Sequence, residues 1–360
     1  MGNFDMNKIK IGIIGVQHLH PRSYMTHFRS MEDVEVTCVA DPDSDLLQRF
    51  ATDFQLRAYA DWRELLQHER LDLVAIFLPH VDCPTAAVEA IHRGIHVMVE
   101  KPMAADSRSA EQMVLAAEAK NVLLTTPYVW RYHPVVQDIK KLIREGVLGQ
   151  IIGCEGRCAA GRLHRYIEGH AAWMLDTKQS GGGPMYNLGV HWIDLFCWLL
   201  EQPIVRAFGK NVKINQTYHI EDNSFAILRF QNGAILNLDI SYTVPDSYPH
   251  GRDLYLGIRG TKGVIQWAPA YEGERDELFI CSDHEHFRSA PRQRRYYELF
   301  PSPGYSGVMG LEYLKAVVKA IQTKLPPPIS GQDGVRVLKI VEAIYRSDQM
   351  GREVAIEECA

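Results

Sequence analysis

The chain has 360 residues, 46% hydrophobic and 23% charged, which is more length than one core normally fills, so two domains are expected. A formal net charge of −5 argues against a nucleic-acid partner, because phosphate binding needs an excess of Lys and Arg on one face. No apolar run approaches the roughly 20 residues that span a bilayer, and too few basic residues precede residues 9–16 for a signal peptide, so no membrane partner and a cytoplasmic location are expected.

From residue 9 to about 126, apolar runs rich in Val and Ile alternate with stretches of helical period, the pattern of βαβ units around a parallel sheet. Strands are expected at 9–14, 34–40, 72–78, 96–99 and 122–126, and helices at 22–31, 44–53, 85–93 and 107–120. The strands are nearly all apolar, as helices on both sheet faces require. After a helix at 135–145, longer alternating strands follow near 151–158, 205–214, 225–244, 253–258 and 264–267. Asn232 and Gly233 between two alternating runs signal a tight hairpin. One helix near 189–200 interrupts this region, and two, at 310–324 and 334–347, close it. The fold class is therefore α/β plus α+β: a Rossmann domain over 1–128, then a mainly antiparallel open-sheet domain over 129–360 whose last helices pack back toward the first.

Two features outside this plan carry little chemistry. The arginines from Arg288 to Arg295 read as a solvated loop. The seven cysteines (Cys38, Cys83, Cys154, Cys158, Cys197, Cys281 and Cys359) are odd in number and form no CxxC pair, so they read as reduced, mostly core thiols.

The first strand runs into Gly15 and an expected helix at Pro21, where a Rossmann domain offers backbone N–H groups to a pyrophosphate. The GxGxxG template falls on Gly15, Gln17 and His20, so one glycine of three survives. His18 and His20 read either as phosphate contacts or as surface-loop residues. No carboxylate or cysteine joins His18, His20 and His27 at useful spacing, so no metal is expected. The second strand ends at Asp41, placed to accept both ribose hydroxyls of NAD and to repel the 2′-phosphate of NADP; a helix N-cap is the alternative. NAD is thus the expected cofactor, with NADP possible. The fourth strand delivers Glu100 and Lys101 to the carboxyl edge of the sheet, where a lysine with a pKa lowered by burial can shuttle a proton.

Gly94, His96 and the run VMVEKPMA resemble the "GxHVxxEKP" segment of the Gfo/Idh/MocA family, the glucose-fructose oxidoreductase and inositol dehydrogenase relatives. Arg131, Tyr132 and Pro134 before GVLGQI are similar to the family's entry into its sheet domain. Gly181, Gly182, Gly183, Asn187, Gly189, His191 and Asp194 resemble "GGGxxxDxGxHxxD". The resemblance implies a catalytic Lys101 helped by His191 and Asn187. It implies a cofactor held by Gly15, Gln17, His18, Asp41, Pro79, His80, Glu100 and Lys101, and a substrate met by Tyr128, Arg131, Trp173, Asn187 and His191. The mixed aromatic and polar stretch from Arg162 to Asp176 suits a hydroxylated ring. Three departures stand out: the missing glycines, His80 and Cys83 where many relatives have Asn and His, and Asn187 where many have Asp. The implied activity is NAD(P)-dependent oxidation of a secondary alcohol, or reduction of the ketone, on a sugar, cyclitol or polyol, by a homodimer or homotetramer. A nicotinamide-binding regulator and an NAD-dependent glycosidase are the alternatives.

Overall fold

The computed structural model describes residues 8–161, 163–245, 247–270, 275–299 and 301–356; Arg162 and Cys359 lie outside them. Apolar strands and amphipathic helices alternate as β1 (Ile9–Ile14), α1 (Pro21–Ser30), β2 (Val34–Ala40), α2 (Ser44–Phe54), β3 (Arg57–Tyr59) and α3 (Trp62–His68). They continue as β4 (Leu73–Ile76), α4 (Cys83–His92), β5 (His96–Val99), α5 (Ser107–Lys120) and β6 (Leu124–Thr125). The six strands pair in parallel in the order β3-β2-β1-β4-β5-β6. The order reverses between β1 and β4, which opens a crevice at their carboxyl ends. β3 and α3 are unforeseen: the strand has three residues, none of them buried, and too short an apolar run to register.

The chain then forms α6 (Pro134–Arg144), β7 (Ile151–Ala160), two short helices α7 (His164–Glu168) and α8 (Thr177–Ser180), α9 (Val190–Leu200), β8 (Ile204–Val212), β9 (Asn223–Phe230) and β10 (Ile235–Ser241). β11 (Arg252–Gly260), β12 (Gly263–Trp267), β13 (Arg275–Ser282), β14 (Arg292–Glu298), α10 (Gly307–Thr323), α11 (Gly331–Met350) and β15 (Val354–Ala355) follow. The nine strands lie in the order β14-β13-β12-β11-β7-β10-β9-β8-β15, with β7 and β10 the one parallel pair among the described strands. Alternation decides the faces: on β9, Ala226, Leu228 and Phe230 are buried while Phe225 and Ile227 are exposed. The Asn232–Gly233 turn closes the β9–β10 hairpin as expected, with Phe230 N–H bonded to Ala234 O at 2.9 Å.

The arginine-rich stretch is only partly a loop: Arg288 lies in a turn, but Arg292, Arg294 and Arg295 fall on the edge strand β14, where Arg294 pairs with Glu277 and Arg295 with Asp138 at 2.7 Å. The six described cysteines are free thiols, five of them buried. Among the described residues no helix is long and apolar enough to cross a membrane.

α11 joins the two sheets. Its capping box, Ser330 with Asp333, starts it earlier than the residue-334 onset read from the sequence. Glu342 accepts from Ser107 Oγ of α5 at 2.6 Å, and Ser347 Oγ accepts Gly209 N–H of β8 at 3.0 Å.

β13 carries a carboxylate into the core. Asp276 is fully buried; it accepts Trp267 Nε1–H and Ala270 N–H, both at 2.8 Å, and His133 Nε2 lies 3.4 Å away. Burial pushes its pKa up, but these donors outweigh burial and hold it below the ordinary aspartate value. A carboxylate with a depressed folded pKa stabilises the fold above its unfolded pKa of about 3.9 and ceases to as pH falls through the folded value. Asp276→Asn should therefore lower Tm at pH 7, and its deficit against wild type should shrink between about pH 5 and pH 3 in thermal melts. A deficit independent of pH would remove the ionised carboxylate from the account.

Candidate active site

The turn after β1 begins the site. Gly15 has φ +90°, and a Cβ there would lie 2.9–3.0 Å from the Phe77 and Leu78 backbone, so glycine alone lets β1 and the end of β4 approach at the crevice. Asp41 locks this turn, accepting Val16 N–H at 2.6 Å, Asp43 N–H at 2.8 Å and Gln17 Nε2–H at 3.0 Å. The N-cap of α2 is Asp43, not Asp41.

His18 is buried and His20 half-buried, so the surface-loop reading does not describe them. His18 is 5% exposed, with its ring centroid 5.9 Å from those of Phe77 and Trp173 and 4.6 Å from that of His20. His20 lies against Tyr305, and its Nδ1 is 3.3 Å from Glu100 Oε2. The carboxylate that local spacing failed to supply is thus Glu100, brought from the end of β5, while His27 instead donates to Tyr305 O at 2.8 Å. Trp173 bridges the sheets, its Nε1–H donating to Gln17 O at 2.7 Å and its ring meeting His80 edge-on. His80 Nδ1 lies 2.7 Å from Ser180 O, and because a carbonyl can only accept, the imidazole proton is on Nδ1 and Nε2 is an acceptor. Pro79 turns the chain into α4, its carbonyl accepting Cys83 N–H.

Lys101 follows Glu100 and is 3% exposed. Its Nζ donates to Asn187 Oδ1 at 2.8 Å and to Asn187 O at 3.0 Å. The ammonium can only donate, which fixes the amide: Nδ2 donates to Tyr166 OH at 2.6 Å and Tyr242 OH at 2.9 Å. Asn187 therefore orients Lys101; its amide makes no contact with His191 among these bonds. A single π-type turn, Met185–Gly189, feeds α9, and this local widening carries Asn187 and His191 to the same cavity. The glycine run before it is a packing requirement, since a Cβ on Gly183 would lie 2.2 Å from Glu221 O.

The cavity measures about 350 Å³ and is walled by His20, Lys101, Arg165, Tyr166, Asn187, His191, Arg252 and Tyr305 among others. Burial pushes the Lys101 pKa down and Glu100 restores part of it; burial, then Lys101, push His191 well down; burial pushes Glu100 up. His191 Nδ1 and His80 Nε2 are buried without a hydrogen-bond partner among the described residues. Sequence reasoning passed over Tyr242, Arg252 and Tyr305: the Pro-Gly before Tyr305 marks a turn but not where it points, and the other two carry no local cue.

Tyr128, Arg131 and Trp173, expected to meet substrate, are not on the cavity wall. Tyr128 packs edge-on to His191. Arg131 makes a two-pronged pair with Asp194 of α9, Nε to Oδ2 at 2.8 Å, and reaches Asp333 of α11 at 3.1 Å. Burial opposes its charge, but the two carboxylates overcome burial and hold the guanidinium above the usual arginine range. Removing one partner of such a buried pair leaves the other uncompensated, so Arg131→Ala should cost roughly 3–5 kcal/mol in urea unfolding. A loss under about 1 kcal/mol, the scale of an exposed pair, would sink the structural assignment.

Residues 9–128 match the family model described as "Oxidoreductase family, NAD-binding Rossmann fold", and residues 140–356 match "Oxidoreductase family, C-terminal alpha/beta domain". The chain belongs to the Gfo/Idh/MocA oxidoreductase family. It is similar to the D-glucoside 3-dehydrogenase of Escherichia coli K12 at 23% identity, covering 97% of each chain. It is also similar to the myo-inositol 2-dehydrogenase of Thermotoga maritima at 21% identity, covering 97% of this chain and 99% of that one. The fold matches the WlbA dehydrogenase of Bordetella pertussis, solved with NADH and UDP-GlcNAcA, with a TM-score of 0.81 at 22% identity over 97% of this chain and 99% of that one.

The crevice residues fit a dinucleotide. The Gly15 turn brings β1 close to the end of β4, the Asp41 carboxylate sits just past the end of β2, and the acceptor His80 Nε2 is buried without a partner among the described residues.

Proposed function

We propose that this protein is an NAD-dependent dehydrogenase that interconverts a secondary alcohol and a ketone on a sugar, cyclitol or related polyol. The observation that carries the reading is Lys101, a buried amine on a cavity wall that is hydrogen-bonded to an uncharged Asn187. The relatives named as a glucoside 3-dehydrogenase and an inositol 2-dehydrogenase support the substrate class.

NAD, when bound, supplies the hydride acceptor at nicotinamide C4. The protein's share is the proton. Burial pushes the Lys101 pKa down, which eases the loss of its own proton so that it can take one from a substrate hydroxyl, and the two Asn187 oxygens hold the ammonium that results. An aspartate at 187 would pair with the ammonium and favour the charged form; the amide positions without adding charge. His191 faces the same space and assists by hydrogen bonding to the reacting oxygen. Gly15, Gln17, Asp41, Pro79 and His80 hold the dinucleotide, and the Asp41 carboxylate disfavours a 2′-phosphate. Arg165, Tyr166 and Arg252 suit a substrate rich in oxygen.

Lys101→Met, which keeps most of the buried volume but leaves the two Asn187 oxygens without their donor, should lower the melting temperature modestly and leave NAD affinity by calorimetry near wild type. It should lower turnover with the best polyol of a panel by roughly two to four powers of ten. A destabilised variant with turnover within a few fold of wild type would make Lys101 structural instead.

The same reading divides the chain after residue 128 and makes it a cytoplasmic homodimer or homotetramer. Copies would pair through the outer face of the second sheet, where Phe208, Phe225 and Ile227 are exposed side by side. The double variant Phe225→Asp, Ile227→Asp should run at the 40.9 kDa monomer mass in light scattering while wild type runs at a multiple of it. A wild-type monomer, or a variant of unchanged mass, would overturn this pairing.

A further inference from the structure

His18 and His20 stand in the loop where the dinucleotide template calls for glycine and small residues; His18 is buried, His20 half-buried, and both lie near Glu100. One ligand atom from each of the three lies within 4.8 Å of the others. His18 Nε2 is buried without a hydrogen-bond partner among the described residues, and His20 Nδ1 has only Glu100 Oε2 near it, at 3.3 Å. Unpartnered polar atoms in an apolar interior are costly, and imidazole nitrogens aimed at a buried carboxylate call for a common partner. Lys101 Nζ does not serve, since its donated bonds go to Asn187.

We propose that His18, His20 and Glu100 form a binding site for a divalent transition-metal ion beside the substrate cavity, with the remaining coordination positions facing that cavity. Two imidazoles and one carboxylate are a known open donor set for such ions. A tetrahedral ion with bonds of about 2.1 Å needs ligand atoms about 3.4 Å apart, and the His20–Glu100 pair already stands at 3.3 Å. His18 closes the remaining gap. Its Nδ1 accepts His20 N–H at 3.1 Å in the metal-free arrangement, so ligation through Nε2 moves the ring proton to Nδ1 and gives up that contact. A cation there compensates the charge of the buried Glu100 carboxylate. His20 lines the cavity, so the open positions meet the substrate, and the nearby Lys101 and Arg252 favour an oxygen anion as the ligand that completes the shell.

The test must exclude the exposed His284–His286 pair, which could bind metal at the surface. Chelator-stripped protein carrying His284→Ala and His286→Ala is titrated with Co²⁺ alone, without nucleotide, and followed by visible absorption and calorimetry. The expected result is one equivalent bound with d–d bands of a four- or five-coordinate ion. Added Glu100→Gln or His20→Asn, each checked for wild-type circular dichroism, should weaken binding at least about 100-fold, beyond the 10–100-fold that outer-shell partners cost. If the parent shows no such band, or if both folded variants bind Co²⁺ as the parent does, the site does not exist. Because no cofactor or substrate is present, that failure leaves the dehydrogenase reading untouched.

Discussion

The burial of the Lys101 amine against Asn187 is the constraint around which the two sheets are arranged. A lysine carried into the interior at the end of β5 needs acceptors, and the first sheet supplies none for it among the described hydrogen bonds. Asn187, in the π-type turn ahead of α9, supplies both. The amide is locked in turn by Tyr166 and Tyr242, so a chain of polar contacts runs from the parallel sheet into the second one. Every member has a forced donor or acceptor role, which makes the arrangement specific as well as buried.

Other contacts hold the sheets close enough for this to persist. Arg131, just past the parallel sheet, is clamped between Asp194 of α9 and Asp333 at the head of α11. α11 bonds to α5 on one side and to β8 on the other. Trp173 reaches from the second region to the Gln17 carbonyl, tying the loop after β1 to the segment ahead of α8. A shift at either side of the seam is therefore felt in the cavity.

The loop after β1 shows how a local substitution changes a site's chemistry. Where glycines would leave room for phosphate, Gln17 caps Asp41 and the two histidines fill the interior next to Glu100. The backbone keeps its close approach at Gly15, while the side chains gather an acid and two bases in a space otherwise given to a ligand.

The parallel sheet was legible in the sequence because its strands are short, apolar and regularly spaced, and the β9–β10 hairpin because alternation and an Asn-Gly turn coincide. Lys101, Asn187 and His191 were legible as members of motifs. The edge strands β3 and β14, with few or no buried apolar residues, were not, nor were the seven-residue α3 and the inner strand β13, whose apolar residues are interrupted by charge and whose Asp276 reads as a polar position yet is fully buried. Arg131 looked like a substrate contact because charge type and spacing say nothing about which carboxylates will surround it. The sequence by itself determined the order of the elements, the strand at whose end each reactive group sits and the absence of two glycines. Only the tertiary structure decided that Asn187 answers Lys101 and that Glu100 meets His18 and His20. Those partners come from distant segments, and periodicity reports which face a residue takes but not what the opposite face brings to it.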